Sequence, residues 1–170
     1  MTGKFLGAAL IIFSCGAFGY GISAANRRAE SSLRQLIAAL DYMQCELHYR
    51  LTPLPDLCMN ASREQKGSVG QFFQKLALEL EDQISPDVSS CVQAALIQTD
   101  QLPKLTRKSL EILGASLGRF DMEGQLIGLE QVRQFCREEV DKLAENKEVR
   151  LRSYQTLSLC AGAALAILFV

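Results

Sequence analysis

The chain has 170 residues, with eighteen Lys and Arg against nineteen Asp and Glu, no Trp and 7% aromatic residues. A net charge of −1 and the scarcity of rings leave no electrostatic or stacking case for a nucleic-acid partner. Residues 5–26 and 153–170 contain no charged side chain, so seventeen basic and all nineteen acidic residues lie between them. That layout argues against a free-floating enzyme.

The first uncharged segment, FLGAALIIFSCGAFGYGISAAN, is long enough for a membrane helix, which needs about 20 apolar residues. A cleaved signal peptide is the rival reading, with Lys4 as its basic start and Ser23-Ala24-Ala25 as its cleavage pattern. The apolar run, about 18 residues, exceeds the usual core of a signal peptide, and Arg27 and Arg28 follow it directly. Residues 5–26 therefore read as a retained transmembrane helix. Gly3/Gly7 and Ala17/Gly21 have the small-residue spacing that lets membrane helices approach closely, although Gly and Ala are common in such helices anyway.

From Glu30 to Leu51 apolar residues fall at Leu33, Leu36, Ile37, Leu40, Met43, Leu47 and Leu51. These steps of three and four predict an amphipathic helix continuous with the first segment. Thr52-Pro53-Leu54-Pro55 stops it. Thr52 is expected to cap the following helix, with Pro53 at its first position. Leu54, Leu57 and Cys58 give that helix an apolar side, and Gly67 is expected to end it. Leu54 and Leu57 admit two readings: core beneath the turn, or a contact for a partner on a proline-fixed surface.

Ser68 and Gln71 have capping-box spacing ahead of Phe72, Phe73, Leu76 and Leu80. Ser85-Pro86 is a second start, leading to Val88, Cys91, Val92, Ala95 and Leu96. After Leu102-Pro103 come Leu105, Leu110, Ile112, Leu113 and Leu117. Gly118 is expected to close that helix at positive φ, and Asp121 to cap the next. Leu117, Gly118, Asp121 and Gln125 thus read as a structural junction.

The last helix carries Met122, Leu126, Leu129, Val132, Cys136, Val140 and Leu143 at near-heptad spacing, which predicts a coiled-coil-like seam against one neighbour. No proline follows, so about 49 residues could run roughly 70 Å into the second uncharged segment, SYQTLSLCAGAALAILFV. Residues 153–170 read as a second transmembrane helix. Arg27, Arg28, Lys147, Arg150 and Arg152 flank the middle domain against Lys4 alone, which puts residues 27–152 in the cytoplasm. No segment alternates as a strand would. The expected fold is all-α: an antiparallel helical bundle, residues 27–152, between an N-terminal and a C-terminal transmembrane helix.

No GxxxxGK[ST] loop occurs, and Gly114, Gly118 and Gly124 lack the strand–loop–helix context of a phosphate cradle. Cys45 and His48 could face together as a nucleophile and base, but no oxyanion site accompanies them, and surface residues at a common spacing is the better reading. The six cysteines, at 15, 45, 58, 91, 136 and 160, include no CxxC pair, and with one His they predict no metal site. Those at 45, 58, 91 and 136 read as buried, reduced thiols. Glu138, Glu139 and Asp141 read as a solvated face, with Glu138 paired to Lys142. No catalytic residue and no cofactor are predicted.

Two stretches carry a family resemblance. One is Leu33-Arg34-Gln35-Leu36 leading through Ala39-Leu40 to Thr52-Pro53-Leu54. The other is Leu117-Gly118, Asp121 and Gln125 opening a long helix into a C-terminal apolar segment. With the length and topology they resemble the stage III sporulation protein AB family of endospore-forming Firmicutes, over the whole chain. Residues 61–101 contribute little to the match. The resemblance implies a subunit of an eight-protein assembly linking mother cell and forespore, in the mother-cell or outer forespore membrane. It implies a cytosolic domain similar to the inner-membrane platform protein of type II secretion and type IV pilus machines. The implied partners are the membrane, a secretion-type ATPase, other channel-complex subunits and, as a further option, copies of itself. The reading is a non-enzymatic platform. The alternative is a membrane-tethered helical sensor or adaptor that binds a small ligand or a signalling partner.

Overall fold

The computed structural model describes residues 2–50, 52–82, 87–117 and 123–145, with side chains from residue 24 onward. Six helices account for nearly all of them, and no strand occurs among the described residues. They are α1 (Thr2–Arg50), α2 (Leu54–Glu64), α3 (Gly67–Glu81), α4 (Val88–Gln98), α5 (Lys104–Ser116) and α6 (residues 123–145).

α1 is one unbroken helix that carries the segment 5–26 into the bundle, as the continuous pattern predicts. Its inner stripe is Leu33, Leu36, Ala39, Leu40, Met43 and Leu47, all buried. The outer face is charged, with i,i+4 pairs Arg34–Glu30 at 3.0 Å and Arg50–Glu46 at 3.6 Å. Among the described residues no helix is long and apolar enough to cross a membrane. The side chains of residues 5–23 and all of residues 153–170, where the two expected spans fall, lie outside the described set.

The α1–α2 corner differs from expectation by one residue. Pro53, not Thr52, holds the cap position, extended at φ −55° and ψ 146°, and its carbonyl accepts the Leu57 N–H at 2.9 Å. Pro55 then occupies the first turn, where a missing N–H leaves nothing unpaired. The Thr52 hydroxyl donates instead to the Glu46 carboxylate of α1 at 3.1 Å. Gly67 does not end α2, which closes at Glu64 with Gln65 extended; it opens α3 at φ +70°, a conformation glycine adopts without strain. The expected Ser68/Gln71 capping box is not formed, since the cap position is Lys66 and no side chain caps it.

α2 to α5 follow one another as neighbours, with α1 laid against α2, α3 and α5. Phe72 and Phe73 of α3 meet edge-on at 5.3 Å within a single apolar core that also takes Leu57, Leu76, Leu96, Leu110, Leu113 and Leu117. α4 buries Cys91, Val92, Ala95 and Leu96, the four that its spacing picks out. Its proposed Ser85-Pro86 start falls outside the described residues. Ile112, expected inside, is instead 37% exposed. A Cβ at Gly114 would lie 2.8 Å from Val92 Cγ1, so α5 approaches α4 at a distance only glycine permits.

α6 closes the bundle with Leu129, Val132, Cys136 and Val140 buried and Leu126 and Leu143 partly so, which is the near-heptad seam. It packs antiparallel to α5: Gly128 lies against Ser116, and Phe135 beneath the Lys108 ammonium at 5.6 Å. On its outer side Lys142 pairs with Glu139 at 2.7 Å rather than with Glu138, which accepts from Gln134.

Candidate functional site

Three features could carry function: the α1–α2 turn, the α5–α6 junction and the α1–α6 seam. In the turn, the period of α2 sets which residues face inward. Leu57, Cys58 and Ala61 are fully buried, and Leu54 packs half-buried against the core. Leu57 therefore belongs to the core and not to a partner surface. The turn offers solvent Pro53, Asp56 and part of Leu54. Beside it, the end of α1 exposes Cys45, His48 and Tyr49, the tyrosine 78% exposed and edge-on to the His48 ring at 4.9 Å.

At the junction, Leu117 is buried and extended, its N–H bonded to the Leu113 carbonyl at 3.0 Å. Gln125 lies half-buried on α6. Gly118 and Asp121 fall outside the described residues. The junction joins two helices that touch immediately beyond it: a Cβ on Gly128 would lie 2.5 Å from Ser116 Cβ. Gly128 is inconspicuous in the sequence, where it is the second of two glycines one turn apart, after Gly124, in an otherwise large-residue helix.

The seam between α1 and α6 was also invisible as a set of pairs. The Arg133 guanidinium reaches the Asp41 carboxylate at 2.6 Å and also binds Glu130. Gln44 of α1 donates to Glu130 at 3.2 Å and to the Leu126 carbonyl at 3.4 Å. Hydrogen bonds from Arg133, then from Gln44, hold the Glu130 carboxyl below its ordinary range. The pairs 44 with 130 and 41 with 133 advance in opposite directions, so α1 and α6 are antiparallel. A groove farther along brings Arg34, Ile37, Ala38 and Asp41 beside Arg137, Val140 and Asp141 in the same register.

The described thiols are free. Cys58, Cys91 and Cys136 are buried, and desolvation pushes the Cys58 thiol up to about 12, so it packs as an apolar group. Cys45 is exposed, contrary to expectation, because it lies on the solvent side of α1. Among the described residues no cluster of three or more His, Cys, Asp or Glu could hold a metal ion.

Buried polar side chains among the described residues are Ser32, Thr99, Thr106 and Ser109. Thr99 and Ser109 bond carbonyls of their own helices, at 2.7 and 3.0 Å. Both hydroxyls are thereby satisfied within the fold by bonds to the carbonyl one turn back.

Comparison with known proteins agrees with this architecture. No curated protein sequence matches the chain. A solved structure of a stage III sporulation protein AB is similar with a TM-score of 0.64 over 72% of this chain and 98% of that one. At 19% identity this likeness concerns the fold alone. The sequence model of the family described as stage III sporulation protein AB matches residues 4–170. The chain belongs to the stage III sporulation protein AB family.

Proposed function

We propose that the chain is a non-enzymatic membrane platform subunit of a sporulation-specific, secretion-like channel complex. In this reading residues 5–26 and 153–170 cross the mother-cell or outer forespore membrane. The bundle of residues 27–152 lies in the cytoplasm, and a secretion-type ATPase acts on it.

One observation carries the reading: the antiparallel register of α1 and α6. The numbers of each facing pair add to 174, as in Gln44 with Glu130 and Asp41 with Arg133. The bundle part of α1 begins and α6 ends at the same end of the bundle, so in the proposed arrangement residues 5–26 and 153–170 join it from one side. Two apolar segments leaving one end of a charged bundle are what a doubly anchored domain requires, because each needs the same bilayer. The basic residues Arg27, Arg28, Lys147, Arg150 and Arg152 then fall at the inner face. The adaptor alternative calls for a polar cluster inside the bundle, whereas two of the four buried polar groups, Thr99 and Ser109, already bond carbonyls one turn back.

Exposed Cys45 supplies the test. In cells expressing a chain with Cys15 and Cys160 replaced by Ser, an impermeant maleimide should leave Cys45 unlabelled until the membrane is permeabilised. Labelling in intact cells would refute the cytoplasmic placement. Co-purification of the full chain with the ATPase from sporulating membranes tests the partner.

A further inference from the structure

Two large apolar side chains stand in solvent at one place on the bundle. Tyr49 of α1 is 78% exposed and Ile127 of α6 is 53% exposed. Gln44 bonds the Leu126 carbonyl and the Glu130 carboxylate, so the last turns of α1 run beside the first turns of α6. In that register Ile127 is level with residue 47, within roughly 3 Å of Tyr49 along the helix axis. Leu47 and Leu129 take the buried sides of the same turns, which leaves Tyr49 and Ile127 facing outward. The exposed His48 ring meets Tyr49 edge-on at 4.9 Å and adds to the patch.

The charge around this patch says what covers it. α3 and α5 start beside Arg27 and Arg28. The end of α3 and the starts of α2, α4 and α6 therefore lie at the other end of the bundle, with Tyr49. Among the described residues that end carries Glu46, Asp56, Glu81, Asp82, Asp87 and Glu123 against one guanidinium, that of Arg50. Arg50 already pairs with Glu46 at 3.6 Å. Residues 83–86 and 118–122, which join helices there, add one Arg and one Asp and leave the balance unchanged. Apolar anchors inside an acidic rim complement a basic protein surface, and an exposed tyrosine ring offers its face to Arg or Lys.

Other occupants do not fit. Tyr49 lies roughly 35 Å along α1 from residue 26, out of reach of a bilayer entered by residues 5–26. A second copy rooted in the same bilayer would bring the same carboxylates to the same height, acid against acid. We infer that this end of the bundle docks a basic protein partner, with Tyr49 and Ile127 as anchors. The exclusion of lipid and of a second copy rests on the proposed membrane placement.

The test uses the full chain in sporulating cells, with a photo-crosslinking amino acid in place of Tyr49 or Ile127. Ile97, 78% exposed near the end of α4, is the control position. Positions 49 and 127 should capture one and the same protein, through a peptide with an excess of Lys and Arg, and position 97 should not. With that protein purified, its affinity for the full chain in detergent should fall about tenfold between about 50 and 200 mM salt. Tyr49→Ala should weaken binding about tenfold and leave Tm within about 2 °C, since the side chain is exposed. Crosslinks from 49 or 127 to lipid, to a second copy or to no protein overturn the proposal, as does salt-independent affinity or unchanged binding by Tyr49→Ala. A basic partner that is not an ATPase supports this surface and counts only against the ATPase. Maleimide labelling of Cys45 reports the cytoplasmic placement separately.

Discussion

Gly128→Ala tests the contact that closes the α5–α6 junction. In an exposed helix this change stabilises by about 1 kcal/mol, because Ala loses less backbone entropy than Gly. Here the new Cβ would sit 2.5 Å from Ser116 Cβ and 3.1 Å from its hydroxyl, whereas ordinary contact begins at 3.4 Å. The overlap of about 0.9 Å falls on an atom one bond from the backbone, so no rotamer change relieves it. Overpacking of this kind costs about 1–3 kcal/mol. Subtracting the propensity gain leaves a net loss of about 1 kcal/mol, or a Tm lower by about 4 °C for a domain of this size. Far-UV circular dichroism melts of the full chain in detergent would read it. The partner variant Ser116→Gly removes the opposing Cβ. The double variant should then be more stable than the two single losses together predict, by about 1 kcal/mol. A stabilised Gly128→Ala chain, or strictly additive effects, would refute the close-contact argument.

Leu57→Ala should destabilise the domain by about 2–5 kcal/mol, while Pro53→Ala and Asp56→Ala stay within about 1, as chemical denaturation would show. Glu130 has a lowered folded pKa, so its stabilisation is present above the unfolded value and is lost as pH falls through the folded one. The Tm advantage of wild type over Glu130→Gln should therefore shrink on acidification; it is well under about 1 kcal/mol because the side chain is half exposed. A gap that widened at acid pH would contradict the seam. Among the thiols at 45, 58, 91 and 136, maleimide mapped by mass spectrometry under native conditions should modify Cys45 first.

Much of the helical framework was legible because burial repeats with the helical period. Leu33, Leu36, Leu40, Met43 and Leu47, and later Leu129, Val132, Cys136 and Val140, announce their faces without any neighbour being known. The boundaries were less legible. Pro53 can serve as a cap or as a first residue, and its extended ψ of 146° decides only once Leu57 finds its carbonyl. Gly67 reads equally well as an ending or a beginning, and positive φ permits both. The contacts that matter most to the candidate site were not legible at all. Arg133 with Asp41, and Gly128 against Ser116, join residues far apart in sequence, so each depends on a register that no local pattern encodes. Leu57 shows the converse: its periodicity was plain, yet a proline-rich turn made a surface reading equally natural until its packing was known.

α1 runs without a proline from Thr2 to Arg50, a rod of about 73 Å with its hydrogen-bond ladder continuous throughout. Such a rod has no joint. A tilt of the bundle, where α1 is held by Leu36, Leu40, Met43 and the Asp41–Arg133 pair, is passed toward residues 2–26 with only the gentle curvature of a continuous helix to soften it. Residues 2–26 thus meet the bundle through continuous helix, with no loop between them to act as a hinge.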